Sequence, residues 1–212
     1  MNSLDPLLVI VLLLNFVVLG ASRVRTVISA AAAQGVALGG LVLFAHHDFG
    51  LRILALASGA VLLKTIVIPS MLDKAMRDAS IRREVDPYVG FTTSLLLGAV
   101  ATALSLLFSG TLPLASEHAG SMMVPASFST ILTGFIMLTT RRKAIMQVMG
   151  YLILENGIFI FGMLLLEAMP FLVEVGVLLD LFVGIFVMGI IVHHISRTFS
   201  SLDTGLLTAL KD

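Results

Sequence analysis

Cysteine is absent from the 212-residue chain, and charged residues are scarce. Without cysteine the chain cannot form disulfides, ligate an Fe–S cluster through thiolates or attach haem through a CxxCH motif. Charged residues make up 12% of the sequence and the formal net charge is zero, so we expect no overall attraction to nucleic acid. The sequence shows no nucleophile–base pattern, phosphate loop or metal-ligand spacing. We therefore expect no bond-making catalysis by this chain alone.

Long apolar runs fill most of the sequence. Hydrophobic residues make up 58% of the chain, and its mean hydropathy is +1.07, which predicts an integral membrane protein. A spanning helix needs about 20 mostly apolar residues, and seven segments qualify: 4–22, 26–45, 50–69, 88–109, 122–140, 144–167 and 169–196. The first lacks a basic leader and a cleavage site, so we interpret it as a retained helix. The predicted fold is an all-α membrane bundle, because open sheets do not survive in lipid.

Basic residues are concentrated on one side of this predicted bundle. The loops after the first, third, fifth and seventh spans hold nearly all of them, whereas the opposite side has only Arg52. The positive-inside rule then places the N-terminus outside and the C-terminus in the cytoplasm of a multi-pass inner-membrane protein. The predicted regions are a four-helix part (1–110), an outer loop (111–121), a three-helix unit (122–197) and a cytoplasmic tail (198–212).

The longest predicted cytoplasmic connection reads MLDKAMRDASIRREVDP and covers residues 71–87. It mixes both signs of charge, which argues against a purely lipid-binding polybasic patch. Two interpretations stay open for it, a solvated connector and a docking surface for a soluble partner.

Two carboxylates lie deep inside apolar runs. Glu155 and Asp180 each lie about 17 Å along their predicted helix, close to the bilayer centre. Because charge is costly at that depth, intramembrane ionisable residues are functional candidates. We expect both to take part in a proton relay at mid-membrane. The alternative is that they are neutral hydrogen-bonding groups that clamp neighbouring helices together.

Further ionisable residues could extend this relay. The candidates are Lys64, Glu174, His193 and His194. Lys64 either extends to the membrane interface or pairs with a carboxylate. Glu174 and the two histidines are either proton ports or interfacial groups exposed to water. A polar face near the relay is formed by Gln147, Tyr151 and Asn156, since Gln147, Tyr151 and Glu155 repeat every four residues.

The C-terminal half resembles the K subunit of respiratory complex I. The resemblance lies in RRKAIMQVMGYLILENGIFIFG and VLLDLFVGIFVMGIIVHHISR, within residues 139–197. The matching positions are Arg141, Arg142, Gly150, Asn156, Asp180 and Gly184. One position departs from the pattern: the first glutamate of that family would fall at Leu152, whereas this chain has Glu155, one turn further along.

The whole layout resembles component E of hydrogenase-4. Four additional predicted helices, the KTIVIP stretch and the tail SSLDTGLLTALKD carry this resemblance. It implies antiporter-like and H-subunit-like membrane partners and a peripheral hydrogenase arm. Fe–S clusters and a NiFe centre would then lie in partner subunits, with no cofactor in this chain.

These observations predict a non-catalytic membrane-arm subunit of an energy-converting hydrogenase or oxidoreductase, with buried carboxylates that serve proton translocation. Two alternatives remain open at this point. One is a K-like component of a cation/proton antiporter that is built from several different chains. The other is a structural brace of the membrane arm, in which the carboxylates only hold helices together.

Overall fold

The structure is a computed structural model and describes residues 4–45, 58–59, 61–78, 85–112, 121–165 and 182. Within these ranges the chain is helical, apart from turns and one isolated antiparallel bridge between Pro87 and Arg141. The helices are α1 Asp5–Gly20, α2 Val24–Ala45, α3 Ile68–Asp78, α4 Phe91–Ser109, α5 Met123–Thr140 and α6 Ala144–Leu165. A π-helical turn, Leu63–Val67, leads directly into α3.

Four helices in the described ranges are long and apolar enough to cross a membrane. They are Val24–Phe44, Phe91–Ser109, Met123–Thr140 and Ala144–Leu164. Asp5–Gly20 is also apolar but shorter, with 16 residues. The all-helical class is thereby confirmed. Most of the seventh predicted span (169–196) and part of the third (50–69) lie outside the described residues, so seven spans and the orientation stay predictions.

The predicted connector 71–87 is wrong in its first half, because that segment is helical. α3 runs on past Pro69 to Asp78. Ile68, Leu72 and Met76 are buried, and their spacing of four places them on one face of the helix. Burial of that face makes the helix favourable there, although the segment is rich in charge.

Helices α1, α2, α5 and α6 form the core of the bundle. α1 packs on α2 and α5, α2 packs on α6, and the α5–α6 contact is the most extensive. The segment before α4 is attached to both hairpin loops, since Val85 N–H donates to Ser22 O and Tyr88 N–H donates to Thr140 O, each at 2.8 Å. The two hairpins are therefore joined at their loop ends.

Buried apolar side chains form two clusters rather than one. The loop-side cluster includes Val18, Ile28, Leu72, Met137, Met149 and Ile153. The distal cluster includes Leu8, Leu38, Leu41, Ala126 and Ile160. Between them lies a set of polar and charged residues that we name the polar layer: Asn15, Gln34, Lys64, Thr130, Glu155 and Asn156. Polar groups thus interrupt the hydrophobic core at one level.

Glycines bring α5 and α6 into direct backbone contact beside the polar layer. A Cβ atom at Gly157 would lie 2.6 Å from Ile131 N and 2.8 Å from Ser127 O. A Cβ at Gly134 would lie 2.6 Å from Leu154 N. Small residues permit this close approach between membrane helices, and the approach fixes where Glu155 and Asn156 lie.

Replacing Gly157 by alanine is expected to destabilise the bundle. The new methyl group would meet backbone atoms of α5, which cannot move aside as a flexible side chain can, so we expect a loss of about 1–3 kcal/mol. Gly162→Ala is the matched control on the same helix, because a Cβ there meets no atom within 4 Å. Thermal denaturation in detergent measures both variants. Equal melting temperatures for the two would contradict this account of the α5–α6 contact.

Candidate functional site in the polar layer

Lys64 and Glu155 form a buried ion pair at the centre of the bundle. Lys64 Nζ lies 3.0 Å from Glu155 Oε1, and the two side chains are 14% and 3% exposed. Glu155 lies at the midpoint of α6, a helix of 22 residues. The ring of Phe159 lies 5.7 Å from Nζ, within cation–π distance. Such an arrangement strengthens the attraction between the charges, because few water molecules can screen them.

The π-turn before α3 positions Lys64. Pro69 has no N–H group, so the carbonyl of Thr65 loses its ordinary i+4 donor. The widened turn Leu63–Val67 precedes this proline, and widened turns of this kind often occur at functional sites. Since one residue added to a turn rotates the residues around it, the π-turn decides which side chain is directed at α6. In this chain that side chain is Lys64.

Asn156 connects the ion pair to a chain of side-chain hydrogen bonds. Lys64 Nζ donates to Asn156 Oδ1 at 3.3 Å, and Asn156 Nδ2 donates to Gln34 Oε1 at 3.2 Å. Gln34 Nε2 donates to Asn15 Oδ1 at 2.8 Å, and Asn15 Nδ2 donates to Thr130 Oγ1 at 2.9 Å. The hydrogen bonds thus run from the π-turn through α6, α2 and α1 to α5.

The members of this chain lie at similar depths in their helices. Gln34 is at the midpoint of the 22-residue helix α2, as Glu155 is in α6. Thr130 lies close to the middle of α5, Met123–Thr140. Asn15, Gln34 and Asn156 are each at most 2% exposed. Polar groups buried this deeply require partners, and they find them laterally, across the bundle.

The predicted polar face on α6 runs from the polar layer toward the α5–α6 loop. Tyr151 is half-buried and Gln147 is exposed, so exposure rises along the row that begins at the buried Glu155. Gln147 Nε2 donates to the carbonyl of Arg141 at 3.2 Å. The row therefore connects the ion pair with the end of the bundle where the loops lie.

The structure brings together only part of the predicted relay. Lys64 and Glu155 are in contact, and Asn156 adjoins both Lys64 and Gln34. The remaining predicted groups lie outside the described residues: Asp180, Glu174, His193 and His194. Their association with Glu155 stays a prediction.

Asn15, Gln34 and Thr130 were not among the predicted site residues. Each carries a hydrogen-bonding side chain inside an otherwise apolar helix, and that was the available signal. It is weak, because a hydroxyl can bond to its own helix, as Thr130 Oγ1 does with Ala126 O. Only the packing of the helices shows that these side chains meet.

A second buried cation lies at the loop end of the bundle. The guanidinium of Arg141 is fully buried, and its Nη2 donates to the carbonyl of Leu19 at 2.7 Å. It also lies 5.4 Å from the ring of Phe91. Burial lowers the pKa of Arg141 from its ordinary value, since the charged form loses solvation. Arg141 joins the C-terminal ends of α1 and α5 to the start of α4.

No group of three or more metal-ligating side chains occurs in the part of the chain that the structure describes. The chemistry that the polar layer can carry is therefore charge and proton transfer between side chains, rather than ligation by these residues. The ionised pair is its reactive element.

Comparison with known proteins identifies relatives along most of the chain. The chain is 31% identical over 192 residues to the uncharacterized protein Rv0085 of Mycobacterium tuberculosis, which covers 89% of this chain and 86% of that protein. The chain belongs to the same family as Rv0085. Members of this family are thus expected to share its arrangement of apolar helices.

More distant relatives carry a functional name. The chain is 26% identical over 160 residues to hydrogenase-4 component E of Escherichia coli K12, which covers 76% of this chain and 74% of that protein. The same figures hold for hydrogenase-4 component E of Shigella flexneri. No protein-family model and no solved structure matches the chain. The resemblance to component E is confirmed as a distant homology, whereas the resemblance to the K subunit of complex I stays a prediction.

Proposed function

We propose that this chain is a non-catalytic membrane subunit of a multisubunit energy-converting hydrogenase or related oxidoreductase. Within it, Glu155 and Lys64 form a proton-transfer pair coupled to electron transfer in other subunits. The homology to hydrogenase-4 component E supports the membership of such a complex. The observation that carries the proton-transfer role is the 3.0 Å ion pair at the centre of the bundle.

The position of the pair supports a functional role over a purely stabilising one. Removing two charges from water costs several kcal/mol, and a buried pair often returns no more than this cost. Apolar residues of similar size would stabilise a membrane bundle as well or better. An ion pair at the midpoint of α6 is therefore better explained by a need for charge there than by a need for stability.

The pair offers two states for a moving proton. In one state Glu155 is ionised and holds the ammonium group of Lys64. When a proton reaches Glu155, the carboxyl group becomes neutral and its attraction for Lys64 is lost, so Lys64 turns to Asn156, which already accepts a hydrogen bond from it. Departure of the proton restores the pair. The row Tyr151–Gln147 provides the connection to the loop end of the bundle.

In the assembled complex we propose that Asp180 continues the relay from Glu155, with Glu174, His193 and His194 as ports. The partners would be antiporter-like and H-subunit-like membrane subunits and a peripheral arm that holds the Fe–S clusters and the NiFe centre. The chain would lie in the cell inner membrane. Electron transfer in the arm would then alter the helix positions that hold the pair together.

The experiment measures proton translocation by the native complex in proteoliposomes, with Glu155→Gln in this chain. The amide keeps the volume and hydrogen bonding of the side chain but cannot titrate, so we expect coupled translocation to fall about tenfold or more. Asp180→Asn is expected to have the same effect. Asp5→Asn is the matched control, since Asp5 is a buried carboxylate of the same bundle near the start of α1.

The outcomes separate this function from the structural brace. If Glu155→Gln translocates protons as well as wild type per turnover, the pair is not a relay and the brace interpretation gains. If translocation falls while hydrogen oxidation and assembly persist, the proton-transfer role is supported. An equal fall in Asp5→Asn would show a general effect of removing a buried carboxylate, and it would overturn the assignment to Glu155.

A further inference from the structure

The hydrogen bonds of the polar layer have a fixed direction. The hydroxyl of Thr130 has one hydrogen, and it donates that hydrogen to the carbonyl of Ala126 at 2.7 Å. Its oxygen can then only accept, and the group that it faces is the amide of Asn15, at 2.9 Å. Asn15 must therefore direct its NH₂ end toward Thr130 and its carbonyl end toward α2.

This direction passes from one amide to the next. An amide side chain has donors at one end and an acceptor at the other. Because Asn15 presents its oxygen, Gln34 must present its NH₂ group, at 2.8 Å, and its own oxygen then faces Asn156. Asn156 donates to that oxygen at 3.2 Å and is left with its carbonyl directed at Lys64. We name Asn15, Gln34 and Asn156 the amide chain.

The end of the amide chain matches the charge that it meets. A carbonyl oxygen directed at Lys64 stabilises an ammonium group, whereas the reversed chain would present an NH₂ group to a cation. The three amides are at most 2% exposed, so solvent offers none of them another partner and reversal of one would leave donors facing donors. The orientation at Lys64 is thus determined by the hydroxyl of Thr130, three amides away.

The charged and titratable groups around the pair come from two elements. The π-turn contributes Lys64, and α6 contributes Glu155 with Tyr151 one turn away. α1, α2 and α5 face the polar layer with uncharged side chains, namely the two amides and Thr130. The amide chain therefore acts on the pair by orientation and dipoles rather than by an additional charge.

We propose that Asn15, Gln34 and Asn156 are positioning residues that, with their direction set by Thr130, hold the ammonium group of Lys64 against Glu155 and keep this carboxylate ionised. The proposal rests on the proposed proton-transfer function of the pair and assigns the element that controls it. Since the amide chain and Thr130 together span four helices, a movement of α1 against α5 would change the charge state of Glu155.

The experiment measures how fast Glu155 reacts with dicyclohexylcarbodiimide, an apolar reagent that couples to protonated carboxyl groups in membranes. The native complex is labelled and the adduct at Glu155 is quantified by mass spectrometry. Thr130→Val keeps the shape of the side chain but removes its acceptor, so the amide chain can reverse and release Lys64. We expect labelling of Glu155 to become roughly tenfold faster, as the loss of an adjacent opposite charge favours the neutral acid.

Two controls separate this effect from a general loosening of the bundle. Thr130→Ser restores the hydroxyl and is expected to return labelling to the wild-type rate. Thr133→Val makes the same change one turn along α5, at a residue that is as deeply buried as Thr130 and lies outside the amide chain, and it should also label at the wild-type rate. If the Thr130→Val complex does not assemble, Asn15→Leu removes the next member and is expected to accelerate labelling in the same way.

The proposal is overturned if wild-type Glu155 already labels rapidly, or if Thr130→Val and Thr133→Val accelerate labelling equally. Its failure is distinct from failure of the proposed function. Labelling reports the charge state of Glu155, whereas translocation by Glu155→Gln reports whether that residue carries protons. A change of labelling in Thr130→Val with normal translocation in Glu155→Gln would support the positioning role and reject the relay.

Discussion

Lys64→Met is expected to lower the free energy of unfolding by about 3–5 kcal/mol, because it leaves the carboxylate of Glu155 buried without its cation. The side chain of Glu155 is 3% exposed, so water cannot replace the missing charge without opening the bundle. Asn156 would also lose the donor that Lys64 directs at its oxygen. The loss is thus larger than the deletion of one surface charge could cause.

The double variant Lys64→Met with Glu155→Gln decides whether the pair is the cause. We expect it to regain more than half of the lost stability, since no charge then remains to be compensated. Lys74→Met is the control for the same chemical change at an exposed position on α3, with an expected effect within about 0.5 kcal/mol. Denaturation in mixed micelles measures all three. A single variant Lys64→Met as stable as Lys74→Met would contradict the ion pair.

Pro69→Ala is expected to separate stability from function. With an N–H group at position 69, the turn Leu63–Val67 can return to an ordinary α-helix, and removal of a helix-interior proline favours the helix by up to about 3 kcal/mol. The change from a π-turn to an α-turn rotates Lys64 by about 100° relative to α6. We therefore expect a chain that is at least as stable as wild type but lacks the ion pair.

Coupled proton translocation measures the functional consequence, and we expect it to fall about tenfold or more in Pro69→Ala although no ionisable group is changed. Pro125→Ala is the control, because Pro125 lies in the first turn of α5, where a missing N–H group costs little. Normal translocation in Pro69→Ala would show that the π-turn does not position Lys64.

Hydropathy and length were sufficient to locate most of the helices. The predicted spans 26–45, 88–109, 122–140 and 144–167 differ from α2, α4, α5 and α6 by three residues or fewer at each end. This agreement follows from the bilayer, which requires a run of about 20 apolar residues for every helix that crosses it. The helical part of the predicted connector 71–87 was missed, since charge hides the apolar face of Ile68, Leu72 and Met76.

The functional importance of Glu155 also follows from sequence, because a carboxylate in the middle of an apolar helix requires a partner. The identity of that partner does not. Lys64 was open between the interface and a carboxylate, and both carboxylates at mid-membrane depth were possible partners. The 3.0 Å contact with Glu155 depends on the rotation of the chain at the π-turn, which hydropathy does not reveal.

The sequence by itself determined that this protein is a membrane-embedded helical bundle with ionisable groups at its centre. Composition and run length decide this, because they set the cost of exposing each segment to water or lipid. Only the tertiary structure decided which polar groups meet. Asn15, Gln34, Thr130 and Asn156 come from four helices, and their order and direction arise from packing, since a hydrogen bond forms only where two helices place donor and acceptor within about 3 Å.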